Sequence, residues 1–272
     1  MPVEIWSCGD ADTHMDQRIL VRLAERVWAH PWWRSRAILA RWALRRERLL
    51  PPASVLDAGC GWGSTLLALE ADGYRMTGSD ISRQMLDRLD APHRRLAVCD
   101  LTQPAPHGET FDAVLSGDVI EHIDDDAAAV RQMYGFLRPG GLLLLSVPSL
   151  PELYGEFDVI QGHRRRYTAE VLKNVLETAG FTDIKLLWWG QLIYYLVRHQ
   201  RAHGKSVPGE SADQTYLRYL ELPRYPLRWL VDLTFLADGW LTRFGLCRFG
   251  TSLLAVARRP VAQARCDSDG RL

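Results

Sequence analysis

The chain has 272 residues and carries 33 basic and 33 acidic side chains, so its formal net charge is zero. A hydrophobic fraction of 47% is enough for a folded core and excludes a disordered chain. The neutral balance argues against a nucleic-acid partner, because neutralising phosphates requires an excess of positive charge. No run of about 18 apolar residues occurs, so we predict no transmembrane segment and expect a cytoplasmic protein.

The first fifty residues are predicted to be helical. Apolar positions recur with helical spacing over residues 14–49, and Pro31 divides this segment into two helices. The pair Pro51-Pro52 ends the second helix, so we assign residues 1–50 to an N-terminal helical extension.

From residue 53 onward, short apolar runs alternate with helical segments, which is typical of a mostly parallel sheet covered by helices. The predicted strands of this region are Ser54–Leu56, Arg75–Thr77, Leu96–Cys99, Phe111–Leu115 and Leu142–Val147. Helices are predicted over residues 64–71, 82–89, 126–137 and 168–179. Two final strands are predicted at Phe181–Trp189 and Gly250–Arg258. They lie roughly sixty residues apart, too far for a hairpin, which indicates an inserted helical element.

These patterns divide the chain into four parts. An α/β domain comprises residues 51–190 together with 250–260, and a helical insertion occupies residues 191–249. The N-terminal extension precedes the domain, and residues 261–272 form a polar tail that we expect to be frayed.

The sharpest motif is the run DAGCGWG at residues 57–63, where the first strand of the α/β domain should turn into a helix. Glycines allow the backbone to approach a ligand closely there, and the following helix N-terminus favours negative groups. Ser64 stands where the dinucleotide fingerprint requires a glycine, so the run does not match the motif of nicotinamide-dependent enzymes.

Acidic residues end the next two predicted strands. Asp80 closes the second strand, where a carboxylate can accept both ribose hydroxyls, and Asp100 follows the third, where it can meet an adenine amino group. The runs FDAV at residues 111–114 and LRPGG at residues 137–141 follow in order. Together these motifs closely resemble the class I S-adenosylmethionine-dependent methyltransferases over about residues 50–190 and 250–258.

The resemblance implies a Rossmann-like, mostly parallel sheet of seven strands whose last strand is antiparallel, and S-adenosyl-L-methionine as the cofactor. It implies that Asp57 and the loop glycines hold the methionine moiety, Asp80 the ribose and Asp100 the adenine. The residues assigned to the cofactor are Asp57, Gly59, Gly61, Gly63, Asp80, Ile81, Asp100, Leu101 and Asp118.

Asp118, Glu121 and His122 follow the fourth strand and can point the same way if they form one helical turn. The segment is similar to the E-x-x-E-H metal motif of ubiquinone-type O-methyltransferases and small-RNA 2′-O-methyltransferases, with Asp replacing the first Glu. A divalent cation is therefore one alternative, and shaping the pocket or local hydrogen bonding are the others. We predict no metal, and assign His122 as a catalytic residue and Glu121 as an acceptor contact.

A segment D-x-x-x-G-H-x-R-R-Y spans residues 158–167, and similar segments recur in small-molecule methyltransferases of this class. His163 has a suitable intrinsic pKa for a general base, and arginines can clamp an acidic group of the acceptor. Alternatively, the arginines cap the next helix or pair with Asp158 at the surface. We assign His163 as a catalytic residue, and Arg164 and Tyr167 as acceptor contacts.

The insertion and the strand before it are unusually aromatic, since 13 of the 26 aromatic residues fall within residues 181–249. The insertion can line a pocket for an apolar acceptor, pack as a core helix or dimer contact, or lie on a membrane surface. Asp232 and Asp238 weaken the membrane alternative, because such helices carry a basic polar face.

The predicted function is methyl transfer from S-adenosylmethionine to an oxygen or nitrogen of a small hydrophobic or aromatic molecule, by a monomer or a homodimer. A nicotinamide-dependent oxidoreductase is one alternative, disfavoured by Ser64 and by the closing pair of strands. A non-catalytic cofactor-binding module, whose insertion docks a partner or a membrane, is the other.

Overall fold

The computed structural model describes residues 2–7, 27, 30–104, 108–203 and 209–261. Most of the first predicted N-terminal helix and of the predicted tail lies outside these ranges. The strands are β1 (Glu4–Ile5), β2 (Ser54–Ala58), β3 (Arg75–Asp80), β4 (Arg95–Val98), β5 (Phe111–Gly117), β6 (Leu137–Pro148), β7 (Thr182–Trp189) and β8 (Ser252–Arg258). The helices are α1 (Pro31–Arg46), α2 (Ser64–Ala71), α3 (Arg83–Leu89), α4 (Asp126–Gly135), α5 (Glu156–Gln161), α6 (Ala169–Thr178), α7 (Gln191–His203), α8 (Ala212–Tyr219) and α9 (Leu227–Arg243). Ile120–His122 and Pro151–Leu153 form short 3₁₀ turns.

In the described part of the chain, eight strands form one sheet in the order β1-β4-β3-β2-β5-β6-β8-β7. β8 is antiparallel to both of its neighbours and all other pairs are parallel, which confirms the Rossmann-like class with an antiparallel last strand. The strand number is eight and the prediction of seven is wrong, because Glu4 and Ile5 pair with Ala97 and Val98. Two residues are too few to produce an alternating pattern in a sequence.

The strand order reverses beside β2. The chain runs outward from β2 to β3 and β4, and then returns to place β5 on the other side of β2. In open α/β sheets, ligands bind at the carboxyl ends of the strands beside such a reversal. The loops that follow β2 and β5 therefore face a crevice.

The start of α1 has a local cause. Pro31 occupies its first turn, where a missing N–H costs no helical hydrogen bond. The side chain of His30 caps the helix, since its Nδ1 accepts the N–H of Trp32 at 3.2 Å. Pro31 therefore begins the helix that reaches over the crevice.

Helices cover both faces of the sheet. Successive side chains of a strand point to opposite faces, and the leucine run of β6 follows this rule. Leu143 and Leu145 pack on the side of α4 and α6, whereas Leu142 and Leu144 pack on the side of α1, α2 and α3. Burying each such side chain contributes about 1.5–3 kcal/mol. The continuous apolar run thus builds two cores at once.

The segment between β7 and β8 contains α7, α8 and α9, as the length of this connection predicts. Asp238 of α9 is fully buried and accepts N–H groups at the start of α7, including that of Gln191 at 3.0 Å. Phe235 of α9 packs with Trp189 and Leu39, which fixes the helix to the sheet and to α1. Within the described ranges, no helix combines the length and the apolar character that crossing a bilayer requires.

Candidate active site

The loop after β2 depends on glycine at three positions. Gly59, Gly61 and Gly63 have φ angles of 78°, 47° and 72°, in the left-handed region that favours glycine. A Cβ atom on Gly59 would overlap the side chain of Val119, whereas the space beside Gly61 is open. The N–H of Gly59 donates to the carbonyl oxygen of Ser79 at 2.8 Å, which ties the loop to β3.

Asp80 stands at the end of β3, where it was predicted. One carboxylate oxygen accepts the N–H of Gly61 at 2.8 Å, and the other accepts the N–H of Ser82 at 2.9 Å. The side chain lines a cavity of about 160 Å³, which we call the nucleoside cavity.

Asp100 also lines the nucleoside cavity. Its Oδ1 accepts the N–H and the hydroxyl of Thr102 at 2.8 and 2.7 Å, and its N–H donates to Oγ of Ser7 at 2.9 Å. The structure brings most of the predicted cofactor residues to this cavity. They are Gly59, Gly61, Asp80, Ile81, Asp100, Leu101 and Asp118.

The two remaining predicted cofactor residues have different surroundings. Asp57 lines an adjoining cavity of about 100 Å³, and burial raises the pKa of its carboxyl to about 7, with Arg36 opposing and Asp80 reinforcing the shift. Gly63 does not line either cavity, and a Cβ there would overlap Leu89. The geometry therefore supports a packing role for Gly63.

Arg36 of α1 crosses the crevice and contacts the end of β5, which the sequence did not indicate. Its Nη1 donates to Asp118 at 2.8 Å and its Nη2 donates to the carbonyl oxygen of Gly117. Ser146 donates to the other carboxylate oxygen of Asp118 at 3.2 Å, and Asp118 itself has a φ of 56°. The N-terminal extension thus holds a site residue in a sparsely populated backbone conformation.

Glu121, His122 and His163 form a compact group on the acceptor side of Asp118. Oε1 of Glu121 lies 3.9 Å from Nε2 of His163, and the two imidazole rings meet edge to face with centroids 4.7 Å apart. One potential ligand atom from each residue lies within 4.8 Å of the others. Burial, reinforced by Asp118, raises the pKa of Glu121 well above its ordinary value.

Asp158 orients His163 from behind. Its Oδ1 contacts Nδ1 of His163 at 3.0 Å and accepts a hydrogen bond from Arg166 at 2.8 Å, while Oδ2 accepts one from Arg201 at 2.8 Å. Burial opposes ionisation of Asp158, but the His163 hydrogen bond and the two arginines outweigh it and lower its pKa. The sequence analysis offered a surface pair between Asp158 and an arginine as an alternative. The pair exists, but the carboxylate of Asp158 is fully buried.

The three predicted acceptor contacts, Glu121, Arg164 and Tyr167, line none of the cavities described for this site. Arg164 is exposed and lies 3.5 Å from Asp124, and Tyr167 is fully buried with its hydroxyl donating to Asp126 at 2.7 Å. Glu121 is also fully buried and sits behind His122 and His163. Of the arginines in this loop, Arg166 turns inward.

A larger cavity of about 580 Å³ lies beside the nucleoside cavity, and we call it the acceptor cavity. Its walls come from α1, from the loop after β6 and from the three helices before β8. The aromatic wall residues are Trp32, Trp33, Phe157, Tyr216, Tyr219 and Phe235. Phe157 and Tyr216 stack with centroids 5.2 Å apart.

The two large cavities meet at shared residues. Asp118 and His122 line both the nucleoside cavity and the acceptor cavity. Trp33 and Arg36 likewise line both the 100 Å³ cavity beside Asp57 and the acceptor cavity. A cofactor seated in the nucleoside cavity can therefore present a reactive group to a second molecule.

Comparison with known proteins agrees with this arrangement. A family model described as a methyltransferase domain matches residues 32–186, more than half of the chain. A Mycolicibacterium smegmatis protein named "Probable S-adenosylmethionine-dependent methyltransferase" is 32% identical over 176 residues, covering 61% of this chain and 63% of that protein. The ubiquinone biosynthesis O-methyltransferase of Xanthomonas campestris is 33% identical over 106 residues, covering 36% of this chain and 44% of that enzyme. The chain thus aligns with less than two thirds of either relative.

Solved structures share the fold. A SAM-dependent methyltransferase from Archaeoglobus fulgidus superposes with a TM-score of 0.51 at 18% identity, covering 82% of this chain and 94% of that one. Phosphoethanolamine N-methyltransferase 2 of Haemonchus contortus, solved with S-adenosyl-L-methionine, also gives 0.51, at 20% identity over 81% of this chain and 52% of that one. The chain belongs to the family of class I S-adenosylmethionine-dependent methyltransferases.

Proposed function

We propose that this enzyme transfers the methyl group of S-adenosylmethionine to an oxygen or nitrogen of a small, largely apolar or aromatic molecule. The observation that carries the proposal is the meeting of the nucleoside and acceptor cavities at Asp118 and His122. The sulfonium is already activated, so holding nucleophile, methyl carbon and sulfur in line supplies much of the acceleration. A volume of about 580 Å³ is typical of sites for drug-sized molecules.

The proposed cofactor contacts follow from where each carboxylate lies. Asp80 lines the nucleoside cavity at the end of β3, where a carboxylate can accept the two ribose hydroxyls, and Asp100 lines the same cavity with Ile81 and Leu101. Asp57 is buried beside the adjoining cavity, so its ionised form is favoured when a cationic methionine moiety enters.

His163 is the proposed general base for an acceptor that is protonated at working pH. The low pKa of Asp158 keeps that carboxylate ionised, so it favours the His163 tautomer with a proton on Nδ1. Nε2 is then the atom that can take a proton from the acceptor. His122, edge to face with His163, lines the nucleoside cavity as well as the acceptor cavity and is proposed to position the acceptor.

The walls of the acceptor cavity support an apolar substrate. Aromatic rings such as Trp33, Phe157 and Phe235 offer flat surfaces on which an aromatic ring packs favourably. Of the proteins named above, one is called an O-methyltransferase and one an N-methyltransferase, so the proposal includes both oxygen and nitrogen as the atom that is methylated.

A divalent cation at Glu121, His122 and His163 is a second candidate, favoured by one observation. Neither carboxylate oxygen of the buried Glu121 has a hydrogen-bond partner among the described residues. Two imidazoles and one carboxylate are donors that suit a transition metal or zinc. Such an ion would polarise the acceptor oxygen and lower its pKa. Metal content of the purified protein, compared with Glu121→Gln, tests this candidate.

Release of S-adenosylhomocysteine tests the main proposal. The purified enzyme is offered a long-chain alkylphenol, the alkylaniline of the same length, and their counterparts without the chain. We expect methylation of a chain-bearing compound, and Phe157→Ala to raise its KM about tenfold by removing a wall of the cavity. Val159→Ala on the same helix is the matched control, because Val159 is exposed and does not line the cavity. Equal turnover of the chain-free compounds, together with an unchanged KM in Phe157→Ala, would contradict an acceptor held by the apolar walls of this cavity.

A further inference from the structure

The outward side of α9 is apolar over its whole length. Trp229, Leu233, Leu236, Trp240 and Phe244 follow at intervals of four, three, four and four residues, which places them on one stripe of the helix. The exposed fractions of Trp229, Trp240 and Phe244 are 60%, 51% and 66%. We call this stripe the outer face.

The neighbouring helix extends this surface. Leu192, Tyr195 and Leu196 of α7 are also exposed, and Asp238 joins the start of α7 to α9. Single exposed apolar side chains are ordinary, but a contiguous set of large ones marks an interaction surface.

The two acidic residues of α9 turn away from the outer face. Asp238 is fully buried, where it caps α7. Asp232 lies 3.2 Å from Arg34 of α1 and 3.4 Å from Arg228. The two carboxylates that argued against a membrane helix at the sequence level therefore face the protein.

The flanks of the outer face are basic. Arg224 precedes α9, Arg248 follows it, and Arg198 of α7 is exposed beside it. Arg243 lies over the ring of Trp240, with 6.0 Å between its guanidinium carbon and the ring centroid. Among the side chains described between residues 190 and 250, Glu221 is the exposed acidic one.

We propose that the outer face docks on the surface of a bilayer containing anionic phospholipid. Tryptophans and large apolar side chains flanked by arginines suit the boundary between headgroups and acyl chains. A second copy fits less well, because both flanks of the outer face are basic, so a two-fold interface would place arginines of one copy against arginines of the other. The inner side of α9, including Val231 and Phe235, lines the acceptor cavity, so docking holds that cavity next to the bilayer.

Vesicle flotation tests the docking. Wild-type protein should float with phosphatidylcholine vesicles containing about 30% phosphatidylglycerol, and less with phosphatidylcholine alone or at high salt. Leu233→Glu combined with Trp240→Glu should weaken partitioning about tenfold. Arg224→Gln combined with Arg248→Gln should weaken it about fivefold, on the anionic vesicles alone. Val171→Glu is the matched control, since Val171 is as exposed as Leu233 but lies on α6, across the sheet.

Each outcome has one meaning. Flotation that Leu233→Glu/Trp240→Glu weakens about tenfold and Val171→Glu preserves supports the docking. Absence of wild-type flotation overturns it, as does equal flotation on neutral and anionic vesicles. A dimer in light scattering that Leu233→Glu/Trp240→Glu converts to monomer, without vesicle binding, overturns it in favour of a second copy. Binding of S-adenosylhomocysteine should be unchanged in all variants, so the result is independent of the methyl acceptor.

Discussion

The nucleoside cavity and the acceptor cavity differ in how the chain builds them. The nucleoside cavity is lined largely by residues that directly follow β2, β3, β4 and β5. The acceptor cavity combines α1, the loop after β6 and the helices before β8, segments that are far apart in the chain. The nucleoside cavity is therefore formed largely by the ends of neighbouring strands. The acceptor cavity forms only when segments far apart in the chain have packed together.

The aspartates of the site differ in the same way, although Asp118 lines both cavities and Asp158 lines neither but contacts His163 of the acceptor cavity. Asp80 and Asp100 accept N–H groups from residues within their own loops or the adjacent one. Asp118 and Asp158 instead accept hydrogen bonds from arginines of distant helices, Arg36 and Arg201 being the clearest cases. We therefore expect a substitution at Asp80 or Asp100 to disturb contacts within its own loop. A substitution at Asp118 or Asp158 should also disturb the contacts of distant helices.

The largest expected effect is that of Asp158→Ala on stability. Arg166 and Arg201 would lose the buried carboxylate that both contact, and uncompensated buried charges cost about 3–5 kcal/mol of unfolding free energy. Urea denaturation measures the loss. Asp124→Ala removes the exposed partner of Arg164 and should leave stability nearly unchanged. Equal losses in the two variants would show that the Asp158 network does not hold the acceptor side together.

Asp80→Ala should lower the affinity for S-adenosylmethionine about 100- to 1,000-fold, because two charge-assisted hydrogen bonds to the ribose are lost. Titration calorimetry measures the affinity directly. Asp87→Ala is the control, since Asp87 pairs with Arg83 on the exposed side of α3. An affinity within a factor of two of the wild type would remove Asp80 from the cofactor contacts.

His163→Gln should lower turnover about 100-fold while the affinity for S-adenosylmethionine stays unchanged, because a general base acts only on the acceptor. His93→Gln, at an exposed histidine near Glu70, should behave as wild type. If cofactor affinity and turnover fell together, His163 would be a structural residue.

The smallest expected effect is a pH dependence of cofactor binding. Burial raises the pKa of Asp57 to about 7, so below this pH the carboxyl is protonated and must lose its proton when a cationic methionine moiety binds. The affinity should rise about tenfold per pH unit up to about pH 7 and then level off. Asp57→Asn should abolish this rise. If the affinity of Asp57→Asn still rose with pH, the proton released on cofactor binding would come from another group.

The seven predicted strands are confirmed because short apolar runs between turn residues carry a strong signal. The positions of Asp80 and Asp100 were predictable for a related reason, since a residue that ends a parallel strand must lie at the ligand-binding edge. The sequence could not show which of Arg164 and Arg166 turns inward, because the direction of a side chain in a loop depends on the segments that pack against the loop. Nothing in the sequence distinguished Arg36 from the other arginines of the same predicted helix, so its contact with Asp118 could not be predicted.

By itself, the sequence determined the Rossmann-like sheet, the glycine loop and the acidic strand ends, because these depend on local backbone geometry and on periodicity along the chain. The tertiary structure alone decided that Arg36 reaches Asp118 and that Asp158 serves His163, Arg166 and Arg201 together. It alone also turned Asp232 and Asp238 inward and left the outer face of α9 apolar. These contacts join residues far apart in the chain, and no local pattern encodes which of them will meet.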